Sequence, residues 1–181
     1  GNAYTVTVTD TTVASDALTT LDGKTTVAVN AAAITTLTGT AANVNTAFSA
    51  GSAGTITGLG NEAVTLSDTT LAATVLNTVN TNTTGVVNAS SVTTLTGAAA
   101  DANISYAANA AGTISGLGNE AVTIDDTTLA ATVLNTLDGY TSGVVNASSI
   151  TTFTGSTADL NTAYGNNTAP GLVVSSAGTI L

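Results

Sequence analysis

The chain of 181 residues contains no cysteine and no histidine, a single basic residue, Lys24, and a single proline, Pro170. Lack of cysteine excludes disulfide staples and thiol chemistry, while leaving the redox compartment open. Without histidine as well, general-base and nucleophile roles fall to carboxylates and hydroxyls alone. No enzyme activity is therefore expected, and no catalytic residue is assigned. Aromatic residues make up only 3% of the chain, and its 43% hydrophobic share comes largely from Ala and Val. Each segment then buries a thin core, and stability has to come from neighbouring segments covering one another's apolar faces.

Eleven acidic residues against one lysine give a formal charge of −10. Such a chain repels phosphate backbones and anionic membrane surfaces, so nucleic acid is not an expected partner. No apolar run approaches the roughly 18 to 20 residues that span a bilayer, and no membrane insertion is expected. Because only 7% of residues are charged, Thr, Ser and Asn must dominate the surface. That composition stays dissolved where salt screens charge, which favours an extracellular or cell-surface location. The start at Gly1 rather than Met reads as a processed or excised piece of something longer.

What fills the chain is a repeat. The run Gly58-Leu-Gly-Asn-Glu-Ala-Val-Thr-Leu-Ser-Asp-Thr-Thr-Leu-Ala-Ala-Thr-Val-Leu-Asn77 returns almost unchanged from Gly116 to Asn135, and a fainter copy starts near Thr5. Asp10, Asp68 and Asp126 each open an Asp-Thr-Thr and stand 58 residues apart, a period that signals stacked units. The chain reads as one array, 1–181, with repeats of 4–61, 62–119 and 120–181.

Within a repeat, Thr5-Val-Thr-Val-Thr9 alternates strictly and predicts a strand with Val6 and Val8 on one face. The apolar spacing of Val13 to Leu21, Leu71 to Val79 and Leu129 to Leu137 predicts a helix of about two turns. Val86 to Gly97 and its counterparts, rich in β-branched residues, predict a second strand with a corner. Leu160 and Tyr164, and likewise Val44 and Phe48, stand four apart behind a Ser or Thr cap and predict a second short helix. The last copy departs from the pattern with an insertion near 166–173 that includes Pro170, a loop on one face. The fold expected from these elements is a solenoid of parallel β-strands interrupted by short helical segments, mainly β with some α, with two to three coils per repeat. An all-β solenoid is the alternative.

The two ends carry a further clue. Ala177-Gly-Thr-Ile-Leu181 followed by Gly1-Asn-Ala nearly rebuilds the internal joint Ala111-Gly-Thr-Ile-Ser-Gly-Leu-Gly-Asn-Glu-Ala121, and no polar capping repeat shields either end. The expected partners are therefore copies of itself or adjacent repeats, placed head to tail.

The run Gly116-Leu-Gly-Asn-Glu-Ala-Val-Thr-Ile-Asp-Asp-Thr-Thr-Leu-Ala-Ala-Thr-Val-Leu-Asn-Thr-Leu-Asp-Gly-Tyr-Thr-Ser-Gly-Val-Val-Asn-Ala-Ser-Ser-Ile-Thr-Thr resembles the tandem repeats of giant secreted and cell-surface proteins of marine cyanobacteria. The resemblance extends over nearly the whole chain. It implies a long adhesin-like solenoid with a role in adhesion, envelope structure or motility, and no enzyme activity. Similar low-complexity repeats occur in phage fibres, where intertwined trimers would be the expected assembly.

Several residues are candidate sites. Asp10, Asp68 and the pair Asp125 and Asp126 flank turns; calcium is the one cofactor they admit, but a helix cap is the simpler use, and no metal ligand is assigned. Glu62 and Glu120, the only glutamates, share one repeat position and read as architectural. Phe48, Tyr106 and Tyr164 share another and read as a packed aromatic column. Gly58-Leu-Gly and Gly116-Leu-Gly lack the rest of a dinucleotide fingerprint and read as corners. The function these readings lead to is a structural repeat module of an extracellular filament or large cell-surface protein, associating end to end through strand stacking. The alternatives are a surface adhesin that binds glycans through the insertion or a Thr/Asn face, and a phage tail-fibre segment.

Overall fold

The computed structural model describes residues 2–166 and 172–174. Each repeat lays down five strands and two helices in one order. The first contains β1 (Val6–Thr7), β2 (Thr12–Ala14), α1 (Ser15–Asp22), β3 (Val29–Asn30), β4 (Thr36–Gly39), α2 (Ala41–Ala53) and β5 (Ile56–Thr57). The second contains β6 (Ala63–Leu66), β7 (Thr70–Ala72), α3 (Ala73–Asn82), β8 (Val87–Asn88), β9 (Thr94–Gly97), α4 (Ala99–Ala111) and β10 (Ile114–Ser115). The third contains β11 (Ala121–Ile124), β12 (Thr128–Ala130), α5 (Ala131–Asp138), β13 (Val145–Ala147), β14 (Thr152–Thr154), α6 (Thr157–Asn166) and β15 (Leu172–Val174).

The helices form one row, α1 against α2 and so on to α6. The strands form four parallel sheets, ordered β1-β3-β5, β10-β8-β6-β4-β2, β15-β13-β11-β9-β7 and β12-β14. Each five-stranded sheet takes two strands from one repeat and three from the next. The sheets therefore cross the repeat boundaries obliquely. Two coils on from Val64 the ladder reaches Ile114, eight positions before Val122, the residue that repeats Val64. Val122 belongs to the next sheet.

Inward-pointing apolar side chains of successive strands stand in register and make ladders. Leu37, Val64, Val87 and Ile114 stand in register across one sheet, and Leu71, Leu95, Val122 and Val145 across the next. All but Leu71 are at most 1% exposed. Each such side chain stabilises the stack by about 1.5–3 kcal/mol relative to an exposed one. The helices close the core from the other side, through Leu76 and Val79 of α3 and Leu134 and Leu137 of α5, all fully buried.

This is an α/β fold, and the expectation of a mainly β or all-β solenoid is wrong. Helix accounts for 37% of the described structure, in alternating strand and helix units. The error lay in length. The Ala- and Asn-rich segment 41–53 makes a helix of 13 residues, as does 99–111, because alanine runs favour helix and each segment ends on a left-handed glycine, Gly54 at φ 80° and Gly112 at φ 82°. Strands shrink correspondingly to between 2 and 4 residues. The expected insertion lies mainly outside the described residues. Its Leu172–Val174 forms β15, which pairs with β13 in the register Val145↔Leu172 that Val87↔Ile114 shows one repeat earlier.

Candidate functional site

Four of the six buried polar residues among those described, Glu62, Thr83, Glu120 and Thr141, gather at the joints where one repeat meets the next, and the joint occurs twice. At the first, Glu62 is fully buried, and its Oε2 accepts the Gly60 N–H at 2.8 Å. At the second, Glu120 is 1% exposed, and its Oε2 accepts the Gly118 N–H at 2.8 Å and the Tyr106 hydroxyl at 3.1 Å. The backbone carbonyls of the two glutamates accept the hydroxyls of Thr83 at 2.6 Å and Thr141 at 2.7 Å. Oε1 of each glutamate is buried with no partner. Each carboxylate holds its corner glycine through the other oxygen. The sequence marks Glu62 and Glu120 as repeated, and nothing in it marks them as buried.

Tyr106 stacks on Tyr140 with ring centroids 5.6 Å apart and planes 13° from parallel. In the first joint the same positions hold Phe48 and Asn82, and a crevice of about 170 Å³ lies beside them. Burial pushes the Tyr106 phenol well above the ordinary tyrosine value; the Glu120 carboxylate adds to this, while the Thr141 hydroxyl opposes it. Below pH about 10 the phenol is protonated in the folded and the unfolded chain alike, and its contribution is fully present. Above that, the unfolded chain ionises while Tyr106 keeps its proton, so stability falls by up to about 1.4 kcal/mol per pH unit until the folded value is passed. Urea unfolding between pH 8 and 12 is expected to show this decline, and Tyr106→Phe, which installs the residue found at position 48, to flatten it.

The aspartates act across coils. The Ala41 N–H donates to Asp68 Oδ2 at 2.7 Å, and the Ala99 N–H to Asp126 Oδ2 at 2.7 Å. Each carboxylate thus caps the helix of the preceding coil, α2 or α4, and not the helix that follows it in sequence. Asp126→Ala should cost about 1–2 kcal/mol, and Asp126→Asn clearly less because the acceptor remains. Thermal melting of the two variants measures the difference. Asp10, the third of the series, is exposed and accepts no hydrogen bond among the described residues. No group of three or more acidic residues is placed to hold a metal ion, among the described residues.

The expected aromatic column does not form as one stack. Phe48 and Tyr106 are 4% and 2% exposed on α2 and α4, which α3 separates, while Tyr164 is 41% exposed and meets Phe153 edge-on at 6.0 Å. A second crevice of about 210 Å³ is lined by Asp22, Thr25, Thr26, Val27, Ala28, Gly54 and Thr55, mostly small and hydroxyl side chains. Among the described residues no helix is long and apolar enough to cross a membrane.

The fold and its joints define an α/β tandem-repeat array. No family model matches the chain, and no curated protein or solved structure matches it either.

Proposed function

We propose that this chain is a structural repeat module of an extracellular filament or large cell-surface protein, in which stacked α/β coils supply length and stiffness. The observation that carries the reading is the repetition of the joint. Asp68 on Ala41 and Asp126 on Ala99 form the same bond at the same 2.7 Å, one period apart. The Thr83 and Thr141 hydroxyls likewise reach back to the Glu62 and Glu120 carbonyls and tie one coil to the next at both joints. An array built this way lengthens by adding units, since each unit contacts mainly its neighbours. The extracellular setting is supported by the sparse charge, the hydroxyl- and amide-rich surface and the resemblance to repeats of giant surface proteins.

The test is to join two and three copies of the chain in one polypeptide and measure particle length by electron microscopy and small-angle scattering. A rod that lengthens by a constant increment per copy is expected. Particles that stay compact as copies are added would overturn the structural role.

A further inference from the structure

The two joints share a backbone path and differ in what fills them. Gly58 and Gly60 turn at φ 88° and 131°, and Gly116 and Gly118 at 89° and 138°. At the second joint the Asn109 carboxamide spans both backbone groups of Leu117. Its Nδ2 donates to the Leu117 carbonyl at 3.4 Å, and the Leu117 N–H donates to its Oδ1 at 3.2 Å. The Tyr140 ring lies nearly flat on Tyr106. One period earlier, Gly51 stands for Asn109 and Asn82 for Tyr140, while Leu59 and Phe48 take the places of Leu117 and Tyr106. Among the described residues the Leu59 N–H and carbonyl make no hydrogen bond. Asn82 is held to α2, its Nδ2 donating to Asn45 Oδ1 at 3.1 Å. The crevice of about 170 Å³ is lined by Phe48, Gly51, Ser52, Leu59, Gly60 and Asn82. It therefore lies where the second joint holds a carboxamide and a ring.

We infer that the crevice of the first joint is a binding site for a small, uncharged aromatic carboxamide, with its ring against Phe48 and its amide on the backbone groups of Leu59. Such a site goes beyond the structural role and does not depend on it. The ligand carbonyl accepts the Leu59 N–H and the ligand N–H donates to the Leu59 carbonyl, as Asn109 does for Leu117. The ring packs on Phe48 as Tyr140 packs on Tyr106, and a ring pair of this kind adds to the gain from burial alone.

Size and charge narrow the class. A cavity of about 150 Å³ takes up a benzene ring, so this one admits a single ring with a small substituent. A carboxylate in place of the amide has no N–H for the Leu59 carbonyl, and the charge of −10 on the chain repels it. Gly51 keeps the crevice open. It lies inside α2, where glycine is a poor helix former, and the fold does not demand it: a Cβ there would meet Leu59 Cβ at 3.5 Å, an ordinary contact.

Benzamide is the probe, titrated into the full chain and followed through the backbone amide resonances. The Leu59 amide is expected to shift and to saturate with a Kd on the order of a millimolar, as a ligand this small allows. Leu117 is the control within the same molecule and stays unmoved, because Asn109 already holds it. Benzoate should bind at least about tenfold more weakly. The Gly51→Asn/Asn82→Tyr variant copies the second joint into the first; it should keep its melting temperature and lose the Leu59 shift. Asn109→Gly/Tyr140→Asn does the reverse and should raise the stoichiometry from one benzamide to two. An unmoved Leu59 amide, equal shifts at Leu59 and Leu117, benzoate binding as well as benzamide, or binding retained in the filled variant would each overturn the site. The first three are read on the unaltered chain, so a variant that fails to fold does not leave the question open.

Discussion

Gly143→Val is expected to unfold the third repeat while leaving α1 and α2 intact. A Cβ at Gly143 would lie 2.2 Å from the Glu120 carbonyl oxygen and 2.4 Å from its carbon, with the Asn119 oxygen at 2.8 Å. Backbone, not a movable side chain, stands in the way. That backbone is tied on every side. The Thr141 hydroxyl donates to the Glu120 carbonyl at 2.7 Å, the Gly143 N–H to the Thr141 hydroxyl at 3.0 Å, and the Val122 N–H to the Val144 carbonyl at 2.8 Å. Moving β11 and β13 apart to admit the side chain breaks these bonds and opens the ladder beneath them. The expected loss is about 3 kcal/mol or more, at the upper end of overpacking effects. Hydrogen exchange should report it as lost protection from Ala121 onward, with α1 and α2 unchanged; uniform protection along the chain would show that the approach is not a constraint.

The first repeat carries its own control. Val27 occupies the position of Gly85 and Gly143, and Tyr4 that of Glu62 and Glu120. There the Thr25 hydroxyl reaches the Tyr4 carbonyl at 2.9 Å, against 2.6 and 2.7 Å at the two later joints. Tyr4 is 71% exposed and Val27 is 37% exposed, so at this position of the first repeat both side chains lie toward solvent. Glu120, buried and bonded to Gly118, has no such freedom.

Leu95→Ala is the second large effect. Leu95 is fully buried on β9, an inner strand of the sheet β7-β9-β11-β13-β15, in register with Leu71 on one side and Val122 on the other. Removing it leaves a cavity between strands that belong to different repeats, and a loss of about 3 kcal/mol is expected. The sheet spans two repeats, so both lose stability together. Phe153→Ala, at the half-buried counterpart on β14, should cost clearly less, about 1 kcal/mol, despite the larger side chain removed. Urea midpoints of the two variants give the comparison, and equal losses would show that completing the sheet adds nothing to burial.

The glycines and glutamates of the joint were visible in the sequence as repeated letters. Their chemistry was not, because Glu120 meets Gly118 locally but Tyr106 only through the return of the chain after α4. The aspartates show the same division. A helix cap is a natural reading of Asp-Thr-Thr ahead of an apolar run, yet the N–H that Asp126 accepts belongs to Ala99, on the previous coil. Spacing along the chain says nothing about a partner in the neighbouring coil. The helix content was understated in length: the segments 41–53 and 99–111, read as short helices, run on for 13 residues each to a left-handed glycine.

By itself the sequence determined the period, the array, the corner glycines and the absence of thiol and imidazole chemistry. Each follows from which residues are present and how often they recur. Only the tertiary structure decided that the sheets run obliquely through the repeats. Helices pack about 8–10 Å apart, while paired strands stand about 4.7–4.9 Å apart, so a stack with one helix per coil cannot keep both spacings in a square arrangement. Sliding each sheet back along the chain, so that Ile114 and not Val122 stands two coils on from Val64, lets both be kept.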